Sequence, residues 1–146
     1  MKRILVAVDG SQASLRALDL AADIAAKYAA KLTLLTAVKD EQFDPEFETY
    51  ARVEHIKDPP RVLQIEGVRN ALAELHDRAA AKGALDIGTE AAIGDPAEEI
   101  LSFAQGGGVD MIVMGNRGHG RLAGLLLGSV TQKVVGLAPC PVLVVH

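Results

Sequence analysis

Gly115, Gly118, Gly128 and Ser129 stand in the pattern Gly-x2-Gly-x9-Gly-Ser, with Arg117, His119 and Arg121 interleaved. These residue types suit one chemistry, the holding of phosphate. Glycine lets the backbone approach closely and adopt positive φ. Free amides and the dipole at a helix start favour an anion. Arginine adds a planar fork that pairs with phosphate oxygens. Better-known phosphate motifs are absent. No glycine precedes a lysine, so there is no GxxxxGK[ST] and no P-loop lysine. Gly118-His119-Gly120 with Gly124 misses the GxGxxG spacing by one position. With that lysine missing, Arg117, His119 and Arg121 are the natural charge partners, Arg117 foremost. Their bland alternative is the solvated tip of a loop. Leu125, Leu126 and Leu127 read as packing of the same loop.

No catalytic constellation emerges. His55, His76, His119 and His146 are scattered, and no Ser/His/Asp, Cys/His or metal-ligand spacing is present. A divalent ion, Mg2+ or Mn2+, is expected to come with the ligand and be held mainly through its phosphates. With no base or arginine finger in evidence, any phosphoryl transfer is expected to be slow.

The elements that must position these residues alternate. Ile4–Val8 is an apolar run suited to a strand covered on both faces. Asp9-Gly10-Ser11 breaks it. Leu15, Leu18, Ala22, Ala25 and Tyr28 then recur at helical spacing, with Ser11 as the N-cap. Leu32–Val38 is a second strand. After a break over 39–60, Asp58-Pro59-Pro60 opens a helix striped by Val62, Ile65, Val68, Leu72, Leu75 and Ala79. Leu85–Ile93 is a third strand, more polar and so nearer an edge. Asp95, with Pro96 at the first helical position and Glu98 three residues on, resembles a capping box. Gly106-Gly107-Gly108 stops that helix. Val109–Met114, a helix from Ser129 to Leu137, and the strand Val142–Val145 complete the chain. The pattern predicts a parallel sheet with helices on both faces. Ligands in such sheets bind beyond the carboxyl ends of the strands, where the order reverses. If strands one and four are neighbours there, Asp9 meets the glycine loop.

Composition sets bounds. The 146 residues suit one domain, 1–146. A chain of that length buries roughly two-thirds of its unfolded surface. Hydrophobic residues make up 49% but aromatics only 3%, so Ala, Val, Leu and Ile must build the core. Fifteen basic against nineteen acidic residues, net −4, disfavour nucleic acid and anionic membrane as partners. Cys140, the single cysteine, reads as a buried small hydrophobe. With no disulfide framework, no signal-peptide pattern and no apolar run of spanning length, a cytoplasmic location is expected.

Several blocks in order carry a resemblance. Ile4-Leu5-Val6-Ala7-Val8-Asp9-Gly10-Ser11 opens it. Gly94-Asp95-Pro96-Ala97-Glu98-Glu99-Ile100 and Val109-Asp110-Met111-Ile112-Val113-Met114-Gly115 follow. Leu127-Gly128-Ser129-Val130-Thr131 and Pro139-Cys140-Pro141-Val142-Leu143-Val144-Val145 close it. In these the chain resembles the universal stress protein family, in its ATP-binding branch, over essentially its whole length. The resemblance implies a Rossmann-like, adenine nucleotide alpha hydrolase-like fold: a five-stranded parallel sheet, order 3-2-1-4-5, with about four helices on two faces. It also implies ATP between the first and fourth strands. Asp9 would accept a hydrogen bond from the nucleoside, at adenine or ribose; its plainer reading is to cap the first helix with Ser11. Ala7 and Val8 would line the base pocket, and the Ala37 backbone would meet the adenine edge. Met114 and Gly115 would lie along ribose and first phosphate. Gly118, Gly128, Ser129 and Val130 would offer amides, and Ser129 a hydroxyl, to the phosphates.

Two segments stand apart. Residues 39–60 hold Phe43, Phe47 and Tyr50, at a spacing suited to one helix face, and a net charge of −4. They read as a helix over the sheet edge or as a lid or partner-docking segment. Val142–Val145, if an edge strand, needs its open backbone covered, and pairing in a homodimer would do so. The functional expectation is an ATP-binding regulator or stress-response factor with a possible protein partner. Its alternatives are a slow ATPase or phosphotransferase, and a protein working through contacts without nucleotide. The intact glycine spacing argues against the last.

Overall fold

Among the described residues, apolar runs of strand length and helical stripes resolve into nine elements. In chain order they are β1 (Arg3–Ala7), α1 (Gln12–Tyr28), β2 (Lys31–Val38), α2 (Pro59–Ala81), β3 (Asp86–Ile93), α3 (Pro96–Gly106), β4 (Met111–Gly115), α4 (Ser129–Leu137) and β5 (Val142–Val145). The computed structural model describes residues 1–39, 59–117 and 126–146, with side chains from Gln64 onward in the second stretch. The five strands form one sheet in the order β3-β2-β1-β4-β5, as the resemblance implies. Every neighbouring pair is parallel.

Strand alternation divides the core in two. Ile4, Val6 and Val8 face α1 and α2, with Leu18, Ala22, Leu32, Leu34, Leu72 and Val113 around them. Leu5, Leu35, Ile112 and Met114 face α3 and α4, meeting Ile100, Leu101, Ala104 and Val134. β1 lies at the centre with Leu5 and Val6 fully buried, and its continuous apolar run reflects cover on both faces. β3 lies at one edge, as its polarity predicts.

Local chemistry sets several boundaries. β3 begins one residue later than the apolar pattern predicts: pairing starts at Lys31↔Asp86, and Leu85 is 95% exposed. β4 begins at Met111 rather than Val109. The Asp110 carboxylate accepts from the Lys2 and Arg3 amides at 2.8 and 2.9 Å, so a side chain occupies that end of the ladder. On α1 the buried stripe is mostly alanine: Ala13, Ala17, Ala21, Ala22 and Ala25 with Ser14 and Leu18. Small residues let α1 sit close to the sheet, and Tyr28, predicted on the apolar face, is 56% exposed where that face runs past the sheet. Asp95 caps α3 by accepting the Glu98 amide at 3.0 Å. The reciprocal half of the predicted box is replaced, because the Glu98 carboxylate takes Lys133 instead. Cys140 is half-buried against the α3/α4 core, and that burial pushes its thiol pKa up. Leu126, predicted to pack, is 80% exposed. Asp58, the predicted cap of α2, and 40–58 with Phe43, Phe47 and Tyr50 lie outside the described residues.

Candidate functional site

The site grows from the carboxyl end of β1. Val8 continues the ladder one step, its amide donating to Leu35 O at 3.0 Å, and its carbonyl accepts from Thr36 Oγ1 at 2.9 Å. Gly10, at φ 82, then turns the chain by a conformation that disfavours L side chains. Asp9 Oδ1 accepts the Ser11 amide at 2.9 Å across this turn. Ser11 caps α1, its hydroxyl accepting from the Ser14 amide at 3.2 Å. Buried Ser14 closes the network, accepting from the Asp9 amide at 3.3 Å and donating to Ser11 O at 2.9 Å. Asp9 thus shapes the turn before the helix, and Ser11 is the N-cap of α1.

The second half grows from β4. A Cβ added to Gly115 would lie 2.8 Å from Ala13 C and Ala13 Cβ, closer than real contacts allow. Gly115 thus permits the end of β4 to touch the first turn of α1. Its carbonyl accepts from Thr131 Oγ1 at 2.9 Å, which anchors α4 to β4 through a buried residue, Thr131 being 2% exposed. Gly128 N donates to Asn116 O at 2.7 Å, bringing the two ends of the glycine-rich stretch together. Gly128 is the N-cap of α4 and has no side chain, so no side-chain hydrogen bond caps this helix. The first amides of a helix lack partners within the helix itself and suit an anion.

β1 and β4 are adjacent, and the sheet winds outward in opposite directions from them. A cleft of about 320 Å³ opens at this switch point, within the size range of small-molecule sites. It brings together Ala7, Val8, Asp9, Ala37, Met114, Gly115, Arg117, Gly128, Ser129 and Val130. Gly118, together with His119, Arg121 and Leu125, lies outside the described residues. Ala7 and Ala37 sit on neighbouring β1 and β2, and Met114 on β4 is 4% exposed. They form an apolar floor with amides at one end.

Six further lining residues escaped the sequence reading, Leu35 of β2 and Thr131 of α4 among them. Pro96 and Ile100, from the first turn of α3, wall the cleft. Ser14 reaches it from α1, and Lys39 from the end of β2. Lys39 sits two residues beyond Ala37, on the same side of an extended chain. That alternation was the signal available, but it lay where the strand pattern breaks. Lys39 O accepts from Gln64 Nε2 at 2.9 Å, which ties the strand end to α2. Lys39 and Arg117 supply the positive charge of the lining. Among the described residues no group of three or more His, Cys, Asp and Glu is placed to hold a metal ion.

The fold and this cleft define a doubly wound α/β protein with a crevice at the topological switch point, where such folds bind their ligands. The model of the Universal stress protein family matches residues 1–146, and the chain belongs to that family. It is 37% identical over 147 residues to the universal stress protein YxiE of Bacillus subtilis, covering 99% of this chain and 98% of the relative. The solved universal stress protein UspA from Lactobacillus plantarum superposes with a TM-score of 0.79 at 30% identity, over 99% of this chain and 97% of that one. A universal stress protein crystallised in complex with cAMP superposes with a TM-score of 0.68 at 34% identity, over 99% of this chain and 96% of the other. Among the described residues no helix is long and apolar enough to cross a membrane.

Proposed function

We propose that this chain is an ATP-binding universal stress protein that acts as a nucleotide-dependent regulator in the cytoplasm. The observation that carries the reading is the cleft itself. Residues separated by more than a hundred positions, Asp9 and Ser129 among them, meet around an apolar floor with uncapped helix amides at one end. A flat apolar base suits the floor between Ala7, Ala37 and Met114. A ribose hydroxyl suits Asp9. Phosphates suit the Gly128–Val130 amides, the Ser129 hydroxyl and Arg117, and Gly118 is assigned to the same end. Mg2+ or Mn2+ would come with the nucleotide, held mainly through its phosphates and water. The relative solved with cAMP supports an adenine ligand in this fold.

Residues 1–146 act as one nucleotide-binding domain in this reading. The chain forms a homodimer by pairing β5, an edge strand, with its symmetry mate. Nucleotide occupancy alters a surface read by a regulatory protein partner.

The chain has no Trp and two Tyr, so its own absorbance near 280 nm is weak. Bound adenine nucleotide would dominate the spectrum of the purified protein near 260 nm. Denaturing extraction followed by chromatography would identify ATP as the released species. Release of AMP or cAMP alone would replace ATP as the ligand. Single-turnover incubation that yields ADP faster than buffer would make the chain an enzyme rather than a binder.

A further inference from the structure

Lys133 stands one turn into α4, four residues after Ser129. Its ammonium lies 3.3 Å from Glu98 Oε1 and 3.7 Å from Asp95 Oδ1. Both carboxylates belong to the start of α3, where Pro96 and Ile100 wall the cleft. Ser129 and Val130 wall it from α4. The ion cluster therefore spans the two helices that flank the cleft. The Glu98 amide, and after it Lys133 and Lys39, hold the Asp95 carboxyl below its ordinary range, so it is ionised at neutral pH. Lys39 faces Asp95 from the β2 side, itself in the cleft lining.

The three side chains of the cluster are roughly half-exposed or more. Such pairs add little to folding stability. Their effect on a charged ligand is another matter. Asp95 and Glu98 place two negative charges beside a cleft suited to a polyphosphate. Lys133 and Lys39 cancel them. Without Lys133, Asp95, Glu98 and Lys39 together carry a net negative charge, and its repulsion grows with each phosphate.

We propose that Lys133 is a positioning residue for the phosphate chain: it ties α3 to α4 across the lip and neutralises Asp95 and Glu98, so that affinity rises with phosphate number. This rests on the nucleotide reading above. The ion cluster selects for charge, whereas the apolar floor selects for the base. Sequence spacing could not have revealed it, because Lys133 and Glu98 are 35 residues apart on different helices.

The test is a set of equilibrium titrations with ATP, AMP and adenosine at low salt, on folded protein checked by thermal melting. In Lys133→Met, ATP affinity falls about fivefold, the effect of one unit charge a few ångströms away in a water-like medium. AMP loses less and adenosine is unchanged. Adding Asp95→Asn and Glu98→Gln to Lys133→Met restores ATP affinity, since Asn keeps the α3 cap. Raising salt shrinks the difference between wild type and Lys133→Met. Asp95→Asn/Glu98→Gln with Lys133 intact tightens ATP more than adenosine, which tests the proposal even if Lys133→Met fails to fold. Equal loss for all three ligands, or no restoration in the triple variant, overturns the proposal while leaving the nucleotide reading intact. Wild-type protein that binds none of the three overturns both.

Discussion

Gly115 serves packing before it serves any ligand. The hydrogen where a Cβ would be points into the first turn of α1, and its carbonyl holds Thr131. Gly115→Ala forces β4 and α1 apart, and overpacking of this kind costs about 2 kcal/mol. A lowered melting temperature with the nucleotide absent is the expected result; an unchanged one would mean that the turn yields freely. Asp9 separates the opposite way. Asp9→Asn keeps an oxygen for the Ser11 amide, so the turn and the melting temperature should persist. Ligand affinity should fall about tenfold, the worth of a charge-assisted hydrogen bond. Titration and melting of the same preparation distinguish these two residues. Asp9 and the glycines were visible in the sequence because their types are unusual where they stand. Lys39 and Ser14 were not, because Lys39 lies where the strand pattern breaks and Ser14 is an ordinary residue inside a helix; Lys133 was not, because its carboxylate partners lie on another helix.

At the scale of elements, caps and alternation carried most of the information. Ser11 and Asp95 mark the starts of α1 and α3 because short polar side chains there accept amides that the helix leaves unpaired. Ser11→Ala should cost about 1 kcal/mol, read as a shift in the denaturant midpoint. The other end of α1 offers the reverse change. Ala29 occupies the left-handed region at φ 52, exposed and without a reason in packing. Ala29→Gly should stabilise the chain by about 1 kcal/mol by removing that strain; a loss of stability would contradict the cap geometry. Boundaries were less legible than elements. Side chains outside the pattern set them, as Asp110 does at β4 and exposed Leu85 does at β3.

For the whole molecule, the order β3-β2-β1-β4-β5 puts the cleft where the sheet reverses, and three carboxylates away from its floor govern acid stability. Arg78 hydrogen-bonds Asp19 at 2.7 and 2.8 Å and holds its carboxyl below the usual carboxylate range. The Glu98 amide does so for Asp95, and the Lys2 and Arg3 amides for Asp110. A depressed folded-state pKa gives stability that is complete above the unfolded value and is lost as pH falls through the folded one. Unfolding free energy should therefore respond little to these groups at neutral pH and decline below about pH 4. A decline that began near pH 6 would point to other groups. The proposed dimer is checked at this scale too: sedimentation at micromolar concentration should give twice the 15.4 kDa chain mass, and a single-chain mass would contradict pairing through β5. The strand order was legible because the motif blocks stand in a recognisable sequence. Which helix faces which was fixed only by packing.

Isothermal titration of nucleotide-stripped, folded protein with ATP and Mg2+ tests most directly the proposal that the cleft at the β1–β4 junction holds ATP. Saturable binding of one ATP per chain, weakened in Asp9→Asn, is the expected result. Wild-type protein that shows no saturable binding up to millimolar ATP would contradict it.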